Sequence, residues 1–204
     1  MNWARLYSDV FNPLIMNVLI VLFSGILSGL ELPDVLITVV GAFILLCLAP
    51  YWYLRQQLHK HTIDDLDVKI RAQRLKPMLV TIGLYLLFAG LIFVLEPGDE
   101  RFLLFIILSF AFCAILATAI TRFWKISLHN ACFAATWMII LLQVWLNDYS
   151  QELLTLLITI ATLSILLMAL ARVKLKVHSI PQVIGGILYG LILPVLLFYL
   201  FIIP

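Results

Sequence analysis

Two histidines in this chain stand beside fixed cations, a setting in which an imidazole can move protons near neutral pH or attack an anionic group. His129 follows Lys125 and Ser127; His178 follows the basic run Arg172, Lys174 and Lys176 and precedes Pro181 and Gln182. A third set of cations, Lys69, Arg71, Arg74 and Lys76, leads into Pro77, and the remaining histidines, His59 and His61, lie just before it. Each feature also has a plain reading. An isolated histidine is a solvated interfacial side chain, and a basic loop at a membrane surface attracts anionic lipid. Whether the three segments converge decides between the readings, and that depends on the elements that hold them.

Those elements follow from composition. Hydrophobic residues make up 64% of 204 positions and charged residues 12%, against about 25% charged in an average soluble domain. So much apolar surface needs lipid as its solvent, and lipid offers backbone groups no hydrogen bonds, so only helices or a closed barrel can span. The apolar runs match the ~20 residues a helix needs to cross a ~30 Å hydrocarbon layer and show no strand-like alternation. We therefore expect an all-α, polytopic transmembrane bundle in a single integral membrane domain, residues 1–204. About seven spans are expected, at 12–30, 35–54, 78–95, 102–120, 130–146, 153–171 and 183–203. The first run begins late, is long and lacks a small-residue cleavage site, so it reads as a permanent span rather than a signal peptide. Polar breaks at Glu31–Asp34, Glu96–Arg101 and Asn147–Glu152 alternate with basic loops, of which 55–77 is the longest.

Seven spans sort the charges. The N-terminus and loops 2/3, 4/5 and 6/7 hold 12 of the 13 basic residues, and the opposite face keeps Arg101 alone. Short loops rich in Lys and Arg stay in the cytoplasm. The N-terminus, the loop 55–77 and both candidate histidines are thus expected on the cytoplasmic side and the C-terminus outside, in the plasma (inner) membrane of a prokaryote. A net charge of +2 gives no reason to expect nucleic acid as a partner. Cys47, Cys113 and Cys132 lie inside apolar runs without paired or metal-ligand spacing and read as packing residues.

Arg172 and His178 are spaced R-x5-H, followed by Gln182, Gly186 and Gly190, in the stretch A-R-V-K-L-K-V-H-S-I-P-Q-V-I-G-G-I-L-Y-G. This resembles the third signature of the type-2 phosphatidic acid phosphatase superfamily, S-R-x5-H-x3-D. K-I-S-L-H, from Lys125 to His129, looks like the second, P-S-G-H; K-I-R-A-Q-R-L-K-P, from Lys69 to Pro77, is similar to the first, K-x6-R-P. The three matches occur in order, on one predicted face, over residues 69–190. The resemblance implies a six-helix lipid-phosphatase-like core within the seven spans. It also implies metal-independent hydrolysis of a phosphomonoester or diphosphate on an amphiphilic lipid, phosphatidic-acid-like or isoprenoid, with no cofactor. His178 would attack phosphorus to give a phosphohistidine, His129 would protonate the leaving alcohol, and water would release phosphate. Lys69, Lys76, Arg172 and Ser127 would hold the phosphoryl oxygens, with Arg71 and Arg74 as a competing pair aligned on Pro77.

The chain departs from that pattern at several positions. Lys76 stands where the family has arginine, Ile126 and Leu128 replace proline and glycine, Ala171 replaces serine, and Gln182 replaces aspartate. The last change matters most: a glutamine oxygen can accept the imidazole N–H but supplies no charge. Ser179-Ile180-Pro181-Gln182 equally reads as a helix capping box, leaving Gln182 open between cap and histidine orienter. The alternative to an enzyme is a catalytically impaired protein of the same fold that binds lipid phosphate or acts as a scaffold. Asp64, Asp65 and Asp67 are similar to one Mg²⁺-diphosphate motif of membrane prenyltransferases, but no second aspartate-rich loop exists; that reading, or a small-solute carrier, ranks third. Gly186 and Gly190 fit close helix contact, and Trp3, Tyr51, Trp52, Tyr53, Trp124 and Trp145 fit interfacial anchoring.

Overall fold

A computed structural model describes residues 2–95 and 101–202. Among them every regular element is helical. In chain order these are α1 (Trp3–Val10), α2 (Pro13–Leu27), α3 (Leu32–His59), α4 (Arg71–Leu95), α5 (Arg101–Thr121), α6 (Leu128–Leu146), α7 (Gln151–Lys174) and α8 (Ile180–Phe201). Helices α3 to α8 are each long and apolar enough to cross a bilayer, which marks the chain as an integral membrane protein. The acidic turn expected at 96–100 and the last residue of the expected seventh span lie outside the described residues.

The first expected span is the one that differs. Of residues 12–30 only Pro13–Leu27 is helical, and α1, which precedes that range, meets α2 at 48° across a short break. Asn12 makes the break, because its Oδ1 accepts the N–H groups of Leu14 and Ile15 and so caps α2, while Pro13 cannot continue α1. At 15 residues and 1.5 Å per residue, α2 alone covers about 22 Å and is short for a crossing. Counted with α1 it makes a seventh span. The expected loop 55–77 is also shorter than its sequence suggests, since α3 runs on to His59 and α4 begins at Arg71.

Span parity can be measured. With α1–α2 crossing, a reporter active only outside the cytoplasm gives signal at the C-terminus and none at the N-terminus. Signal at both ends or at neither would leave six crossings.

Inside α3, Phe43–Leu48 widens into a π-turn in which Ala49 N–H donates to Ile44 C=O. One residue later stands Pro50, which has no N–H to give; the π-turn absorbs that loss without ending the helix.

The helices pack as two compact units. One comprises residues 1–16 and 126–204, hence α1, α6, α7 and α8. Its centre is α6, which buries Ala131, Phe133, Ala134, Ala135 and Ile139 among others. Helices α6 and α8 run parallel, since Ser127 N–H donates to Gln182 C=O where both begin (3.1 Å). Two glycines allow their approach: a Cβ at Gly186 would stand 2.5 Å from Ser127 O, and one at Gly190 would overlap Ala131 O. Lipid gives helices no hydrophobic reason to associate, so small residues that admit backbone contact serve instead. Helix α1 is held by ring contacts, Tyr7 tilted against Phe11 and both edge-on to Phe133, at 4.8 to 6.4 Å between centroids.

The other unit comprises residues 17–125, with most of α2 and all of α3, α4 and α5. Phe88 and Ile92 of α4 and Ile106 and Ile107 of α5 are its fully buried core. Tyr85 donates to Asn17 Oδ1 at 2.8 Å in the interior and stacks on Phe110.

Candidate functional site

Five of the nine candidate residues lie at one end of the first unit. Helix α7 ends there in a reversal: Lys176 adopts a left-handed conformation (φ 54°) and Val177 N–H returns to Arg172 C=O. The chain then passes through His178 into α8. Arg172, in the last turn of α7, is 1% exposed. Its Nη1 donates to the Ser8 hydroxyl of α1 at 2.7 Å, and a cation at a helix C-terminus is favoured by the backbone dipole.

His178 is buried, and its Nδ1 lies 3.1 Å from Gln182 Oε1. That same oxygen accepts the Ser179 backbone N–H at 3.2 Å, the capping-box contact. The two bonds together assign protons. Receiving a backbone N–H identifies the amide atom as oxygen, an oxygen there only accepts, and so Nδ1 must donate. The lone pair of the neutral ring is left on Nε2. Cap and orienter, alternatives in the sequence, are one atom in the fold.

Across from α8, Ser127 caps α6. Its hydroxyl donates to Asn130 Oδ1 (2.8 Å) and receives Asn130 N–H at 3.5 Å, and the residue is fully buried beneath Gly186. His129 follows in the first turn of α6, partly buried. The backbone bond from Ser127 to Gln182 therefore brings both histidine-bearing helix starts to the same end of this unit.

The other four candidates belong to the second unit and gather at one of its ends. Arg74 is buried and its Nε donates to Val68 C=O at 2.8 Å, bracing the loop between α3 and α4. Val68 itself holds φ 45°, uncommon for a β-branched residue. Arg71 reaches from the start of α4 to Phe123 C=O after α5, at 2.8 Å. Lys69 pairs with Asp65 at 3.2 Å with both side chains partly in solvent, and Lys76 is exposed near the start of α4. Lys69, Arg71 and Lys76 thus present charge outward, whereas Arg74 is spent on the loop. Among the described residues no three His, Cys, Asp or Glu side chains stand close enough to share a metal ion.

Two participants escape a sequence reading. Ser8 lies 164 residues from Arg172 in an eight-residue helix that precedes the first apolar run. Asn130 is 1% exposed, and its Nδ2 has no hydrogen-bond partner among the described residues. The available signal for it was a polar side chain where the buried face of α6 begins.

Compared with known proteins, the chain matches no family model, no curated protein and no solved structure.

Proposed function

We propose that this protein is a divergent lipid phosphatase resembling the type-2 phosphatidic acid phosphatases, cleaving a phosphoryl group from a lipid at the cytoplasmic membrane surface through a phosphohistidine. One observation supports this above the others: Gln182 Oε1 accepts from His178 Nδ1, which puts the lone pair of the neutral ring on Nε2, the tautomer a histidine nucleophile needs. In the proposed reaction Nε2 attacks phosphorus as the bond to the lipid oxygen breaks, and His129 gives that oxygen its proton. Water then attacks the N–P bond, His129 takes the water's proton back, and phosphate leaves with His178 restored. Positioning and charge are the main catalytic terms in such transfers. Of the candidate cations, Arg172 belongs to the nucleophile's own unit, while Lys69, Arg71 and Lys76 are exposed residues of the other. The apolar tail of the substrate stays at membrane depth while its headgroup meets the histidine end of the first unit.

Purified protein supplied with phosphatidic acid and with an isoprenoid diphosphate should release phosphate from at least one, and release should survive a chelator. Absence of release from both would reject the reading. A second reading, a lipid-phosphate-binding scaffold, is favoured by the complete burial of Ser127 and by the missing carboxylate at position 182. It predicts retention of the phospholipid on the purified protein without turnover.

A further inference from the structure

In the half of the first unit away from the histidines, α6, α7 and α8 enclose a groove of about 540 Å³. Trp137 and Trp145 of α6, Leu154, Ala161 and Leu166 of α7, and Ile187 of α8 mark its extent. Its lining carries no charged side chain, and the one hydroxyl, on Thr162, is already given to Ile158 C=O at 2.8 Å. The Trp137 indole N–H has no hydrogen-bond partner among the described residues but is itself buried away from the groove surface, so the face offered to an occupant is apolar and suits hydrocarbon.

The register along the helices says how long that hydrocarbon is. Leu166 and Leu154 lie six and eighteen residues before Arg172, which at 1.5 Å per residue puts the groove from roughly 9 to roughly 27 Å from the guanidinium. On α6, Trp137 and Trp145 lie eight and sixteen residues beyond His129, or roughly 12 and 24 Å. Half of a ~30 Å hydrocarbon layer is about 15 Å. The groove thus starts within reach of an ordinary acyl chain headed at the histidine end and finishes beyond the midplane, where such a chain stops. The same three helices bear Arg172, His129 and His178 at the end where a phosphate would sit.

Resting on the phosphatase reading, we infer that this groove is a subsite for a single long hydrocarbon chain that crosses the bilayer midplane, and that it sets the preference of the site for long-chain phosphates. Selectivity comes from packing, because lipid is as apolar as the groove.

The test compares solanesyl phosphate with hexyl phosphate, whose chain ends short of the groove, in the wild type and in two filling variants. Ala161→Phe fills the groove from a buried position, and Thr162→Trp fills it from an exposed one that folding does not depend on. Wild type should prefer solanesyl phosphate about tenfold in kcat/KM, the low end of what hydrophobic pockets discriminate, and both variants should bring the ratio close to one. An unchanged ratio in both variants, or equal loss on both substrates, would overturn the groove. If neither ester is hydrolysed, the phosphatase reading is decided by phosphatidic acid and the isoprenoid diphosphate, and binding alone decides the groove. Solanesyl phosphate raising Tm in wild type but not in the variants would still support the groove; no shift, or the same shift in all three, would refute it.

Discussion

His178→Ala is expected to lower phosphate release by roughly 10³-fold or more, because removing a nucleophile removes the covalent route and leaves only binding and charge. The fold at that position is set by the backbone, since Ser179 N–H keeps its bond to Gln182 Oε1, so the loss should come without a large change in thermal stability. Gln182→Glu is the informative companion. The glutamine already fixes the ring's tautomer and lacks only charge; a glutamate would keep both bonds and place an anion beside the imidazolium as it forms. A carboxylate in hydrogen-bond contact near a protein surface is worth a few kcal/mol at most, and we expect a gain of about tenfold to a hundredfold. A rate indifferent to both substitutions would remove His178 from the chemistry.

The second large effect is structural. Gly190→Ala sets a methyl group on the backbone carbonyl of Ala131, which no side-chain rotation can relieve. Overpacking of this kind costs about 1–3 kcal/mol, or a fall in Tm of about 2–12 °C for a chain of this size. Gly83→Ala, at a helical position with nothing within 4 Å of the added carbon, should instead gain about 0.5–1 kcal/mol from helix propensity. Opposite signs for the same chemical change, read by thermal unfolding in detergent, would locate the α6–α8 contact. Equal shifts would contradict it. Activity should fall with Gly190→Ala as well, because that contact helps hold the start of α6 against α8, where Ser127 N–H bonds Gln182 C=O.

Much of this was legible in the residues. Six spans are announced by apolar runs that have no aqueous alternative, and the glycines at 186 and 190 announce a close contact because nothing else is small enough. Residues 3–10 were not legible as part of a span, since α1 is short, polar on one side, and held by rings contributed from α6. Pro50 marks in the sequence where an N–H is missing, but not that the helix answers with a π-turn rather than a kink or an end. At the site, Ser179 and Gln182 spelled a cap, and Gln182 and His178 spelled an orienter. Sequence spacing could not show that one oxygen serves both, because that depends on a side-chain angle. The pairing of Arg172 with Ser8 depends on tertiary packing alone.

The reaction proposed for this fold turns on whether phosphorus is ever bonded to His178. Rapid quenching of turnover under alkaline conditions, where phosphohistidine survives, followed by peptide mass spectrometry, measures that directly, with His129→Asn slowing hydrolysis and an isoprenoid diphosphate as substrate, whose phosphate leaving group needs no proton from His129. The expected result is a phosphorylated peptide bearing His178, absent from His178→Ala. Phosphate released at an unchanged rate with no phosphopeptide, or with the label on another residue, would contradict it.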